Sequence, residues 1–121
     1  MEIELYKYKD ITHKVIGAAM EVHKFLGNGF QEVIYQRALV YELHRSGLQF
    51  QREIAKDIFY KDLVEPIGRR KADFVVEQKI LIELKALKEL EEVHWAQVLN
   101  YLKTYKLEVG LLINFGAKSL E

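Results

Sequence analysis

Apolar residues recur at helical spacing from Ile11 through Val15, Ile16, Ala19, Val22 and Phe25 to Leu26, behind Asp10 and ahead of Gly27-Asn28-Gly29. That period predicts an amphipathic helix over about 10–26, closed by glycines that accept the left-handed backbone of a C-cap. A second set, Val33, Ile34, Ala38, Leu39 and Leu43, predicts a helix over about 31–45 that stops at Ser46-Gly47. Beyond Gly47 the period shortens. Runs at 48–54, 57–60, 63–64, 72–77 and 80–86, separated by polar pairs such as Lys61-Asp62 and Gln78-Lys79, predict an antiparallel meander. The helical period returns over about 88–105, where Leu90, Val93, Val98 and Leu102 run beside His94, Gln97, Tyr101 and Tyr105. A final apolar run at 107–115 predicts a strand. Because a helix carries the chain to it, that strand pairs parallel to 80–86 through a right-handed connection. The fold class is therefore α/β, a mixed twisted sheet with two N-terminal helices and one crossover helix.

With 121 residues, half of them apolar and only one proline, the chain is long enough for one domain with a core that needs neither disulfide nor structural metal. The absence of cysteine excludes thiolate zinc sites, Fe–S clusters and cysteine nucleophiles, and fits a reducing compartment. Eighteen basic against eighteen acidic residues give zero formal charge, so nucleic-acid contact must come from a local patch rather than a global field. The start Met1-Glu2-Ile3-Glu4 is acidic where a signal peptide is basic, and no apolar run reaches membrane length. The expectation is a soluble, cytoplasmic protein without a membrane partner.

The chemistry concentrates in Asp73 and in Glu83-Leu84-Lys85, where two acids and a lysine interrupt apolar strands. Alternation puts Glu83 and Lys85 on one face and Ile82 and Leu84 on the other. Whether Asp73 joins them depends on the hairpin. A two-residue Gln78-Lys79 turn would set Asp73 opposite Leu84, whereas an odd-length turn, such as a three-residue loop, or a bulge between Glu77 and Ile80 sets it opposite Glu83 or Lys85. On a shared face, Asp73 and Glu83 suit Mg²⁺ or Mn²⁺, which takes one or two protein carboxylates and keeps waters that a substrate phosphate replaces. Lys85 then orients a water or stabilises developing charge, and phosphodiester hydrolysis is the reaction this set suits. The same three residues also suit an ordinary ion-pair network on a solvated sheet face.

Gly29-Phe30-Gln31-Glu32-Val33-Ile34-Tyr35 resembles the Gly-x-x-Glu-x-x-Tyr signature of the GxxExxY proteins. Asp73 with Glu83-x-Lys85 resembles the PD-(D/E)xK nuclease core to which they are assigned. The likeness runs from Ile11 to the end of the chain, with Ala72 where the family name has proline. It implies a restriction-endonuclease-like core and a metal-dependent nuclease site. In that site Glu32, Asp73 and Glu83 are the metal carboxylates, Lys85 is the catalytic lysine, Gln97 with Tyr101 is a supporting pair, and Tyr35 of the signature is a further supporting residue.

Read as residues alone, Glu32 is equally a first-turn helix stabiliser, Gly29 a plain cap that allows positive φ, and Tyr35 a core aromatic with a satisfied hydroxyl. Gln97 fits either a position behind Glu83 or Lys85 or a solvated helix rim. His94 is more naturally a hydrogen-bonding histidine than a ligand. Glu89, Glu91 and Glu92 suit the first turn of the third helix. Arg69-Arg70-Lys71, read as a loop, fits phosphate binding or plain solvation, and a partly exposed Trp95 leaves base stacking open. Two functions therefore stand: a Mg²⁺- or Mn²⁺-dependent nuclease acting on DNA or RNA, working as a homodimer or with a helper, or an inactive binding module on the same fold.

Overall fold

The computed structural model describes residues 2–3 and 8–120; Met1 and Glu4 of the acidic start lie outside them. The order is β1 (Glu2–Ile3), α1 (Lys9–Leu26), α2 (Glu32–Arg45), β2 (Phe50–Ile58), β3 (Gly68–Val76), β4 (Ile80–Lys85), α3 (Glu92–Tyr105) and β5 (Val109–Asn114). The strands form one sheet in the order β1-β5-β4-β3-β2. Its pairs are antiparallel except β4 with β5, which are parallel as the crossover helix requires.

The two central strands are buried on both faces, which is why they read as nearly unbroken apolar runs. Helices α1 and α2 cover one face, where Val15, Val22, Tyr35 and Leu39 pack on Phe74, Ile82, Leu111 and Phe115. On the other face, Val98 and Leu102 of α3 pack on Ala72, Leu81 and Leu112. This approach is close: a Cβ on Gly110 would stand 2.9 Å from Cγ1 of Val98.

Three boundaries differ from the sequence reading. The runs at 48–54 and 57–60 are one strand, because Ala55 and Lys56 continue the ladder opposite Lys71 and Arg70. The 63–64 run is no strand; it lies in the turn between β2 and β3, and Arg69-Arg70-Lys71 belongs to β3 rather than to a loop. Helix α3 starts at Glu92, not near 88. The preceding chain is clamped by buried Asn114, whose Oδ1 accepts from Leu87 N–H at 2.8 Å and whose Nδ2 donates to the Leu87 carbonyl at 2.9 Å. The two-residue strand β1 was not foreseen at all.

The α1–α2 linker is held from below. The Tyr35 hydroxyl donates to the Gly27 carbonyl at 2.6 Å and accepts from Phe30 N–H at 3.2 Å, while its ring stacks on Phe115 at 4.7 Å. Gly29, at φ 107, supplies the backbone conformation that a side chain would oppose.

Candidate active site

The β3–β4 hairpin turns through Glu77, Gln78 and Lys79, with Val76 opposite Ile80 and Phe74 opposite Ile82. It is the odd-length turn that the site required. Glu77 and Gln78 both adopt left-handed φ, and Lys79 N–H closes the turn on the Val76 carbonyl. This register directs Asp73 toward Glu83.

The regular ladder between β3 and β4 ends at Phe74 and Ile82, and the two acids occupy the cleft beyond. The Asp73 N–H donates to Oε1 of Glu83 at 3.1 Å, and Leu84 N–H donates to Oδ2 of Asp73 at 2.7 Å. Side-chain oxygens thus stand in for the carbonyls that a continuing ladder would have supplied, which anchors both carboxylates to the backbone.

The third strand of this row is also irregular. Between the pairs Arg52–Phe74 and Ile54–Ala72, Glu53 takes a left-handed φ of 48° beside Asp73. Here the sheet reverses its facing: Phe74 packs under α1 and α2, whereas Ala72 packs under α3. The Tyr105 hydroxyl fills the gap, accepting from Ala72 N–H at 3.0 Å and donating to the Ile54 carbonyl.

From α2, Gln36 reaches the same point. It is buried, donates to Oδ1 of Asp73 at 3.4 Å and accepts from Arg52 at 2.9 Å. Glu32, Val33, Gln36, Glu53, Asp73 and Leu84 line a pocket of about 190 Å³ that opens beside these acids.

The electrostatics follow from crowding. Glu83, only 8 % exposed, is pushed up to about 9, first by burial and then by the charge of Asp73. Burial also raises Asp73, against hydrogen bonds and the nearby Lys85 that pull it down. Glu32 is raised by partial desolvation and by Asp73, with Lys85 opposing. Two acids that cannot both ionise comfortably are what a dication relieves.

No group of three or more His, Asp or Glu side chains poised to hold a metal occurs among the described residues. The donor set nevertheless fits Mg²⁺ or Mn²⁺, which needs only one or two carboxylates; Asp73 and Glu83 would supply them, with Glu32 at the open edge.

A family model described as the PD-(D/E)XK nuclease superfamily matches residues 9–121. The chain belongs to that superfamily. Its nuclease-type α/β fold, with the acid, the Glu-x-Lys strand and the crossover helix in order, agrees with this membership. Neither a curated protein nor a solved structure matches the chain.

Around this superfamily core, the remaining sequence-predicted residues divide. Tyr35 is fully buried, so its support is structural: it fixes the linker that leads into Glu32 at the start of α2. Tyr101 is half-buried within reach of the charges of Glu83 and Asp73, and burial raises its hydroxyl. Gln97 is half-buried and makes no side-chain hydrogen bond to Glu83 or Lys85. His94 Nδ1 accepts from Glu91 N–H at 2.9 Å, one half of a capping box that starts α3. Trp95 packs against the small core under α3. Because Arg69, Arg70 and Lys71 lie on a strand, Arg70 faces α3 while its neighbours face away, and Arg69 pairs with Asp57 at 3.4 Å in the open.

Gln36, Arg52, Glu53 and Tyr105 escaped the sequence reading as site residues. Gln36 carried one usable signal, its position one turn after Glu32 on the same helix face. Tyr105 carried the same kind of signal, one turn after Tyr101 on α3, and nothing local marks Arg52 or Glu53.

Proposed function

We propose that this chain is a Mg²⁺- or Mn²⁺-dependent phosphodiesterase that cleaves DNA or RNA, built as one nuclease-like domain. The observation that carries the reading is the convergence of Asp73 and Glu83 in the cleft where β3 and β4 part, with Lys85 next on the same face of β4. The Gly29…Glu32…Tyr35 signature supports assigning it, within the superfamily, to the GxxExxY proteins.

Asp73 and Glu83 would hold the ion, and Glu32 would reach it from α2. Such an ion would supply Lewis-acid polarisation of a phosphate and a water of lowered pKa. Lys85 would orient an attacking water or stabilise the negative charge that develops on a phosphate, and Gln36 would keep the Asp73 carboxylate in place. Lys85→Ala should abolish Mn²⁺-dependent cleavage of labelled DNA and RNA while the circular dichroism spectrum stays unchanged. A variant that cleaves at the parent rate removes the assignment.

A second reading, a nuclease-like module that binds without cleaving, is favoured by one observation: both Asp73 oxygens and one Glu83 oxygen already accept protein hydrogen bonds. Calorimetric titration with Mn²⁺ separates the two. Saturable binding that disappears in Glu83→Ala supports the enzyme, and no binding supports the module.

A further inference from the structure

Past Asp73, strands β2 and β3 leave the sheet. β4 pairs only with residues 74–76 of β3, so 54–58 and 68–72 continue as a two-stranded ribbon of about 17 Å. On this ribbon Lys56 and Arg70 are direct cross-strand partners. Both are exposed, and neither makes an ion pair with an acid among the described residues. Like charges placed directly opposite cost stability, so attraction between the two does not explain the pair.

Their placement is nonetheless controlled. The Lys56 ammonium lies 6.0 Å from the centre of the Tyr105 ring, and the Arg70 guanidinium lies 5.5 Å from that of Tyr101. Both cations are thus turned toward α3, on the side where Tyr101 feels the charges of Glu83 and Asp73. Arg70 stands three residues from Asp73, about 10 Å along the strand, the reach of a nearby phosphate on a chain crossing the acids. Arg69 and Lys71 point to the opposite side, and Arg69 is already paired with Asp57.

We infer that Lys56 and Arg70 form an anion site for a nucleic-acid backbone phosphate flanking the catalytic acids, presented on the ribbon and aimed by the tyrosines of α3. The site rests on the nucleic-acid reading above and supplies the local basic patch that a chain of zero net charge requires.

The test is fluorescence anisotropy of short labelled DNA and RNA oligonucleotides in EDTA, so that binding is read without cleavage. The Lys56→Gln/Arg70→Gln double variant should bind about tenfold more weakly, and its salt dependence should lose a slope of about 2. The Arg69→Gln/Lys71→Gln double variant should stay close to the parent. Equal losses in the two variants, or parent affinity in the first, overturn the site. Displacement of the oligonucleotide by inorganic phosphate alone at equal concentration overturns it as well, since the pocket would then serve a free anion.

Melting temperature supplies the control. Removing a like-charge pair should leave it unchanged or raised, and Lys56→Arg/Arg70→Lys should retain binding; a lower melting temperature together with failed rescue shows a structural role and overturns the proposal. Cleavage by the parent in Mn²⁺ is scored separately. Binding through these cations without cleavage defeats the nuclease reading alone, and cleavage with unaltered binding in the first variant defeats this site alone.

Discussion

Arg52 donates to the side-chain oxygen of Gln36, and this contact decides what Gln36 offers to Asp73. A guanidinium has no acceptor, so it captures the amide oxygen and leaves the amide N–H₂ turned toward the carboxylate. Gln36→Leu should therefore weaken Mn²⁺ binding by about tenfold or more, the usual cost of losing a group that orients a ligand. Calorimetry reads this directly, and Arg52→Leu should reproduce a smaller part of it.

Burial of the two acids, with the charge of Asp73 adding to it at Glu83, sets the pH dependence of the metal-free protein. Glu83 is displaced upward from its ordinary 4.5 to about 9, and Asp73 is displaced the same way. The folded state therefore holds a proton that the unfolded chain releases. This stability is complete below about pH 4.5 and is lost as pH rises toward about 9. Between those limits the melting temperature should fall by about 5 °C or more. Glu83→Gln, which cannot ionise, should flatten the slope, and melting curves of the two proteins across the range check it.

Tyr105→Phe should destabilise the root of the ribbon. Its hydroxyl serves Ala72 N–H and the Ile54 carbonyl at a point where the ladder is distorted. Leaving these groups unpaired costs about 1–3 kcal/mol. Urea denaturation gives the size of the effect, and faster hydrogen exchange at Ala72 locates it.

Two glycines should respond differently to alanine. At Gly116 the added methyl would meet backbone atoms of Leu87 and Ala86 at 2.3–2.5 Å, in a segment that Asn114 already clamps. At Gly110 it would meet side-chain methyls of Val98 and Leu102 at 2.9–3.4 Å. Side chains rotate and backbone does not, so Gly116→Ala should cost more than about 3 kcal/mol and Gly110→Ala about 1–3, measured by chemical denaturation.

Much of this was readable in the chain. The α/β class and the parallel pairing of β4 with β5 follow from a helix placed between two apolar runs. The odd hairpin turn follows from strand parity alone: Asp73 reaches Glu83 only if the loop has that length, and Glu77-Gln78-Lys79 provides it. What stayed hidden depends on distant partners. The left-handed backbone at Glu53 has no glycine to announce it. Tyr105 earns its role through a carbonyl far away in sequence, and Leu90 looked helical although its neighbour Leu87 is bound by a side chain from β5. Read as a loop, the basic triplet lost the alternation that separates Arg70 from Arg69 and Lys71.

Strand β2 closes the sheet on its outer side with a nine-residue edge. An open border of that length invites a foreign strand to add to it, yet this one carries Arg52, Glu53, Lys56 and Asp57, and its path swerves at Glu53. Charge and a break in direction are the means by which soluble proteins refuse such recruitment. Those features guard the border that leads into the acids against the addition of a foreign strand.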